Sequence, residues 1–110
     1  MGAVGWFSRM RGRRITAGRD GGIDPATLAH LQDFVATRRG VEAFIEQPTT
    51  LTRATLLLIA WDGEWTRRSV GSVEWARRFA ARLGLPAYDA GVVGYPQRMR
   101  DYNARRRSGR

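Results

Sequence analysis

The side chains whose types and spacing suggest chemistry lie in the segment SVEWARRFAARL, residues 72–83. Apolar residues at helical spacing predict an amphipathic helix over Val73–Leu83. At about 100° per residue, Trp75 falls opposite the apolar stripe, beside Arg78 and Arg82. An exposed indole can stack on a base while neighbouring guanidinium groups contact phosphates. The segment therefore predicts a surface for a polyanion. The structural alternative is a tryptophan covered by a terminal segment or by its own arginines.

The two ends of the chain carry its excess charge. The 110 residues include 19 arginines, no lysine and 10 acidic residues, for a formal net charge of +9. Residues 1–22 contribute +4 and residues 96–110 contribute +5, whereas residues 23–95 are neutral. Terminal blocks of like charge are often interaction arms. The predicted nucleic-acid contacts at the two ends are Arg9, Arg11, Arg13, Arg14, Arg98, Arg100, Arg105, Arg106 and Arg107.

This charge pattern predicts binding to RNA or to the ribosome, because phosphates supply most of the affinity in such complexes. Two alternatives stay open. A sheet edge could accept a partner protein or a second copy of the chain, through Ala87–Val93, or through Val41–Gln47 if that strand is outermost. Alternatively, Trp6 and Phe7 with the flanking arginines could attach the chain to an anionic membrane, although the glycines of this segment disfavour a helix.

Few residues point to catalysis. The chain has no cysteine, which excludes a cysteine nucleophile, a disulfide, and cysteine-ligated zinc or iron–sulfur sites. The only histidine, His30, lies off the apolar face of its predicted helix and has no obvious partner, while Asp62 and Glu64 suit a turn. The sequence contains neither a GxGxxG motif nor a phosphate-binding P-loop. It favours a non-enzymatic role and predicts neither a metal nor a cofactor.

The elements that must position these residues form an α+β fold in the order α-β-β-β-α-β. Asp24 and Pro25 are typical of a helix start, and Asp62-Gly63 predicts a two-residue hairpin turn that pairs Ala60 with Trp65. The run Leu56–Ile59 is apolar on both faces and predicts a central strand. We expect a mostly antiparallel sheet with two helices on one face. The predicted strands are Val41–Gln47, Ala54–Trp61, Glu64–Val70 and Ala87–Val93.

The composition divides the chain into three parts. Residues 1–22 are predicted to be a basic, disordered arm, residues 23–96 a neutral α+β domain, and residues 97–110 an arginine-rich tail. No stretch approaches the ~18 consecutive apolar residues of a membrane span, and the first residues lack the organisation of a signal peptide. These observations predict a cytoplasmic protein.

Two resemblances add to this interpretation. The order α-β-β-β-α is similar to that of the double-stranded RNA-binding domain. That family has basic residues at the start of its second helix, where this chain has Val73, Glu74 and Trp75, so no contact residue carries over. The segments RRGVEAFIE (38–46), AWDGEWTRR (60–68) and LGLPAYDAGVVGYPQRMRDYN (83–103) look like a family of small basic actinobacterial proteins.

Members of that actinobacterial family often carry an automatically transferred oxidoreductase label. No residue quoted above supports such an activity, and the resemblance implies no catalytic site. It implies instead that the turn Gly94-Tyr95-Pro96 and the segment 98–102 belong to the folded domain. Part of the predicted tail would then lie on the domain.

Overall fold

The computed structural model describes residues 23–109, and the predicted N-terminal arm, with Arg9, Arg11, Arg13 and Arg14, lies outside the described residues. The predicted α+β class and the order α-β-β-β-α-β are confirmed, and two further helical segments follow the last strand. The elements are α1 (Pro25–Thr37), β1 (Glu42–Glu46), β2 (Thr55–Ile59), β3 (Trp65–Ser69), α2 (Val73–Arg82), β4 (Ala87–Asp89), α3 (Ala90–Val93) and α4 (Gln97–Ser108).

The sheet has the strand order β3-β2-β1-β4. Strand β2 pairs antiparallel with both neighbours, and β1 pairs parallel with β4. All five residues of β2 are buried, as expected for a strand that is apolar on both faces. Because β1 lies between β2 and β4, the segment Val41–Gln47 is not outermost. This arrangement removes it as an edge that could accept a partner strand.

The other predicted docking edge is shorter than expected. Strand β4 covers only Ala87–Asp89, because the chain turns into α3 at Ala90. The Asp89 carboxylate begins that helical turn by accepting a hydrogen bond from the Gly91 N–H at 2.9 Å. The edge therefore offers three residues rather than the predicted seven.

The β2–β3 hairpin differs from the expected register by one residue. Ile59 pairs with Trp65, and the Ala60 N–H donates to the Glu64 carbonyl at 2.8 Å. The loop is therefore Trp61-Asp62-Gly63, three residues long, and the predicted pair of Ala60 with Trp65 is wrong. Gly63 has φ of +93°, and its N–H donates to the Ala60 carbonyl at 2.9 Å. A three-residue hairpin commonly uses a glycine at this left-handed position.

The first face of the sheet packs against α1 and α2, as predicted. Its inward side chains from β1 and β2 include Ala43, Ile45, Leu56 and Leu58, all essentially buried. Both helices begin at side-chain caps: the Asp24 carboxylate accepts from two N–H groups of α1, as predicted, and the Ser72 hydroxyl accepts from the first turn of α2. Such caps satisfy backbone donors that the helix itself leaves unpaired. The main core lies between this face and the two helices.

The second face of the sheet has its own apolar cluster, formed by Phe44, Leu57 and Ile59 together with Ala90. Tyr95 and Met99 are among the partly buried side chains packed against it. The residues that follow the predicted domain boundary at 96 thus fold back over the sheet. They form the helix α4, and the sheet is covered on both faces.

Candidate nucleic-acid interface

Arg98 anchors α4 to the sheet and the adjoining hairpin loop. Its guanidinium donates to the Ala60 carbonyl at 2.9 Å through Nε, and to the Glu42 carboxylate at 2.8 Å through Nη2. Nη2 also lies 3.3 Å from the Ile59 carbonyl. Charge-assisted hydrogen bonds of this kind are stronger than neutral ones. Arg98, a predicted nucleic-acid contact, therefore holds α4 in place.

The hairpin loop fits closely under α4. A Cβ added to Gly63 would lie only 1.9 Å from the Arg98 carbonyl oxygen and 2.9 Å from Tyr102 Cβ. One turn further along α4, Nη2 of Arg105 donates to the Asp62 carbonyl at 2.9 Å. Positions 98, 102 and 105 share one side of a helix because they are three or four residues apart. This side of α4 is seated on the loop.

The exposed arginines of α4 form a basic surface. Arg100, Arg105, Arg106 and Arg107 are exposed, and the helix has five arginines against one aspartate. Local contacts orient these side chains: Arg100 donates to the Gln97 side chain and to the Tyr95 carbonyl, and Arg106 Nη1 lies 3.4 Å from the Tyr102 hydroxyl. The guanidinium carbon of Arg105 lies 5.9 Å from the Tyr102 ring centroid. We call Arg100, Arg105, Arg106 and Arg107 the basic surface of α4. Arg98 fixes this surface to the sheet, so the surface does not belong to a free tail.

The predicted exposed tryptophan of α2 is buried. Only 1% of Trp75 is exposed, and its ring stacks on Phe79 with centroids 5.2 Å apart and an angle of 17° between the ring planes. Trp75 precedes Phe79 by four residues, and residues so spaced are neighbours on a helix surface. It therefore lies at the border of the apolar stripe, from which a large side chain reaches the core. The prediction that it lies exposed beside Arg78 and Arg82 is wrong, although both arginines are exposed.

The structure places a different tryptophan beside the arginines. The indole N–H of Trp65 donates to Asn103 Oδ1 of α4 at 2.8 Å, linking the start of β3 to the helix. This contact spans 38 residues of sequence, so neither residue alone indicates it. The available signal was the aromatic and amide pair Tyr102-Asn103 within the arginine-rich segment. Side chains of both types are frequent partners of nucleobases.

We compared the chain with models of known protein families, with curated proteins and with solved structures; none of the three comparisons finds a match. What α4 does must therefore be inferred from its contacts and charges. Among residues 23–109, no helix is long and apolar enough to cross a membrane. The same residues contain no group of three or more histidine or acidic side chains arranged to hold a metal ion.

His30 has a partner after all. Its Nε2 lies 2.6 Å from the Thr66 hydroxyl, across the interface between α1 and β3. Burial lowers the pKa of His30 from its ordinary value, and the positive charge of Arg68 adds to this effect. A neutral, hydrogen-bonded imidazole at a helix–sheet contact is a packing residue.

Glu46 links the turn before α4 to the strands. Its carboxylate accepts a short hydrogen bond from the Tyr95 hydroxyl and forms an ion pair with Arg67 at 2.8 Å. Burial, followed by the hydrogen bond and negative charge of Glu46, raises the pKa of Tyr95 to about 12. Glu42 and Glu46 therefore both hold the C-terminal segment on the second face of the sheet, through Arg98 and Tyr95 respectively.

We expect this phenol to make stability depend on pH above about 10. An unfolded tyrosine ionises near pH 10, whereas Tyr95 in the fold ionises near 12. The stabilising contribution is thus complete below about pH 10 and is lost as the pH rises toward about 12. Because the chain has no lysine and no cysteine, tyrosines are the main side chains that titrate in this window.

Absorbance titration of the phenolates, with the free energy of unfolding measured at each pH, tests this expectation. Tyr95→Phe should remove the highest-pH step and flatten the alkaline loss of stability. A Tyr88→Phe variant is the control, since it removes a tyrosine of the same sheet face without touching Glu46. An unchanged highest-pH step in Tyr95→Phe would show that Tyr95 is not the group responsible.

Proposed function

We propose that this chain is a non-enzymatic RNA-binding protein whose docked helix α4 contacts the phosphate backbone. The observation that carries the proposal is the basic surface of α4, four exposed arginines on a helix fixed to the sheet by Arg98. Arginine is well suited to phosphate because its planar guanidinium donates two parallel hydrogen bonds. A helix already seated on its scaffold loses less conformational entropy on binding than a free tail does.

The contacts of α4 favour RNA over a membrane surface. An interfacial helix needs an apolar face that enters the lipid. In α4 the side chains Met99 and Tyr102 are partly buried against the protein, and four of the eight exposed residues are arginines, with no large apolar side chain among the rest. The helix therefore offers charge without an insertable face. RNA, free or within the ribosome, is the polyanion we propose, and the cytoplasm is the proposed location.

The test is fluorescence anisotropy with a labelled single-stranded oligouridine and a labelled RNA duplex, at several salt concentrations. The triple variant Arg105→Gln, Arg106→Gln, Arg107→Gln removes three charges while keeping side-chain length and helix propensity. Removing one arginine–phosphate interaction lowers the slope of log K against log salt by about 0.7–0.9. We expect a slope reduced by about 2 and an affinity about 10- to 100-fold weaker at low salt for both probes.

The matched control is the triple variant Arg77→Gln, Arg78→Gln, Arg82→Gln on α2, which has the same net charge as the α4 variant. It should retain most of the affinity, because its three arginines lie on α2, which packs on the opposite face of the sheet from α4. Equal reductions of affinity in the two variants would assign binding to total charge and overturn the role of α4. Absence of binding by the wild-type chain at low salt would overturn the function itself.

The N-terminal arginines remain a prediction, since they lie outside the described residues. Replacing Arg9, Arg11, Arg13 and Arg14 by glutamine in the full-length chain measures their share in the same assay. We expect this variant to have a smaller slope of log K against log salt, because an arm adds affinity through charge alone. The loss of affinity caused by the triple substitution in α4 should remain in this background.

A further inference from the structure

A groove lies between the start of β3 and the last turns of α4, beside the basic surface. Its volume is about 480 Å³, within the ~300–1,000 Å³ range of small-molecule pockets. We call it the Trp65 groove. Its lining residues are Glu64, Trp65, Tyr102, Asn103, Arg106 and Arg107.

Trp65 and Asn103 give this groove a fixed aromatic surface and a fixed amide. Trp65 is partly buried against the second apolar cluster, so its ring has a defined position, and its remaining surface lines the groove. An indole N–H can only donate, so the amide oxygen of Asn103 must face it at 2.8 Å. The orientation of the amide is therefore settled, with its oxygen bonded to Trp65 and its NH2 group as the remaining donor.

The charge of the groove is positive. Its one acidic residue, Glu64, already forms an ion pair with Arg38 at 2.7 Å. Its two cationic residues include Arg106, whose guanidinium carbon lies 5.8 Å from the Tyr102 ring centroid. This contact keeps a guanidinium group at the rim of the groove, beside Tyr102.

Together these groups match one chemical class of ligand, an unpaired nucleotide. Every base has a π face that can stack on an indole, and every base has acceptors for an amide N–H. The phosphate of the same nucleotide is the natural partner of the rim guanidinium. Bases in an RNA duplex are stacked and paired, and its deep major groove is closed to side chains, so a duplex cannot present one.

We propose that the Trp65 groove binds a single unpaired nucleotide of an RNA strand. The base stacks on Trp65 and accepts from the Asn103 amide, and Arg106 contacts the phosphate. This inference rests on the proposed RNA-binding function and adds a preference for single-stranded over duplex RNA. It also assigns that preference to Trp65 and Asn103, which line the groove and are not part of the basic surface.

The experiment compares the affinities of two groove variants for single-stranded oligouridine and for duplex RNA. Trp65→Leu removes the stacking surface, and Asn103→Ala removes only the amide, so it tests the site even if the first variant folds poorly. Removing the stacking partner of a base typically weakens binding about 5- to 100-fold. We expect a reduction of that order for Trp65→Leu and a several-fold reduction for Asn103→Ala, on single strands only.

Trp61→Leu is the matched control, because Trp61 is the neighbouring exposed tryptophan, at 59% exposure, and does not line the groove. It should leave both affinities unchanged. A reduction of equal size on both RNAs in the groove variants, or no reduction on either, would overturn the nucleotide site. If those variants bind normally while the arginine variant of α4 is impaired, the groove proposal fails and the proposed function stands.

Discussion

We expect the single substitution Gly63→Ala to destabilise the protein by at least about 3 kcal/mol, with a fall of more than about 10 °C in Tm. Two physical causes add up. Gly63 has φ of +93°, a conformation that is strained for any residue with a Cβ. The added methyl group would also lie 1.9 Å from the carbonyl oxygen of Arg98, which is backbone and cannot rotate away. Helix α4 must therefore shift off the loop.

Gly84→Ala is the matched control for this prediction. Gly84 also has positive φ, at +70°, but a Cβ there would meet nothing within 4 Å. It should cost only the backbone strain, about 1–2 kcal/mol. Chemical denaturation of the two variants measures the difference. Equal losses of stability would mean that α4 is not seated on the hairpin loop and that its basic surface is not held in a fixed position.

The seating of α4 also explains what the sequence could reveal of this fold. The run Leu56–Ile59 correctly predicts a strand that is buried on both faces, and this requires a cover on each face. Two amphipathic helices account for one cover. Leu57 and Ile59, exposed by 2% and 0%, belong to the other face, and the C-terminal segment provides that cover.

The composition of α4 does not indicate that this helix covers the second face of the sheet. Helix α4 has no fully buried residue and is rich in arginine, so it lacks the apolar periodicity by which packed helices are recognised. It is held by specific long-range contacts, such as Arg98 to Glu42 across 56 residues. An arginine that anchors a helix and an arginine exposed to solvent are identical in a sequence. The charge of the C-terminal block was therefore predictable from composition, whereas its attachment to the folded domain was indicated only by the resemblance of segment 83–103.

The register of the β2–β3 hairpin, on which the candidate site depends, was also not determined by the sequence. Asp62-Gly63 correctly predicts a turn, but the choice between a two- and a three-residue loop depends on the backbone conformation of Gly63. That choice shifts the register by one residue and thereby turns Trp65 to the second face of the sheet, toward Asn103. A one-residue slip exchanges the two faces of a strand. The Trp65 groove could not be predicted without the correct register.

The buried position of Trp75 gives this side chain a large expected effect on stability. The indole is 1% exposed and stacks on Phe79, so Trp75→Ala should remove a large core side chain and leave a cavity. Such substitutions cost about 3–5 kcal/mol. A surface role would give the opposite result, namely weaker RNA binding with stability unchanged. Thermal and chemical unfolding, with RNA binding measured well below the Tm of the variant, distinguish the two.

Trp61→Ala provides the comparison, because it removes the same side chain from an exposed position. Trp61 is 59% exposed, and the guanidinium of Arg39 lies over its ring at 5.4 Å. Removing an exposed cation–π interaction costs about 0.5–1 kcal/mol. The Trp75 variant should therefore be destabilised several times more than the Trp61 variant. If the Trp75 variant loses no more stability than the Trp61 variant, Trp75 is not a core residue. The predicted exposed face of Trp75, Arg78 and Arg82 would then be correct.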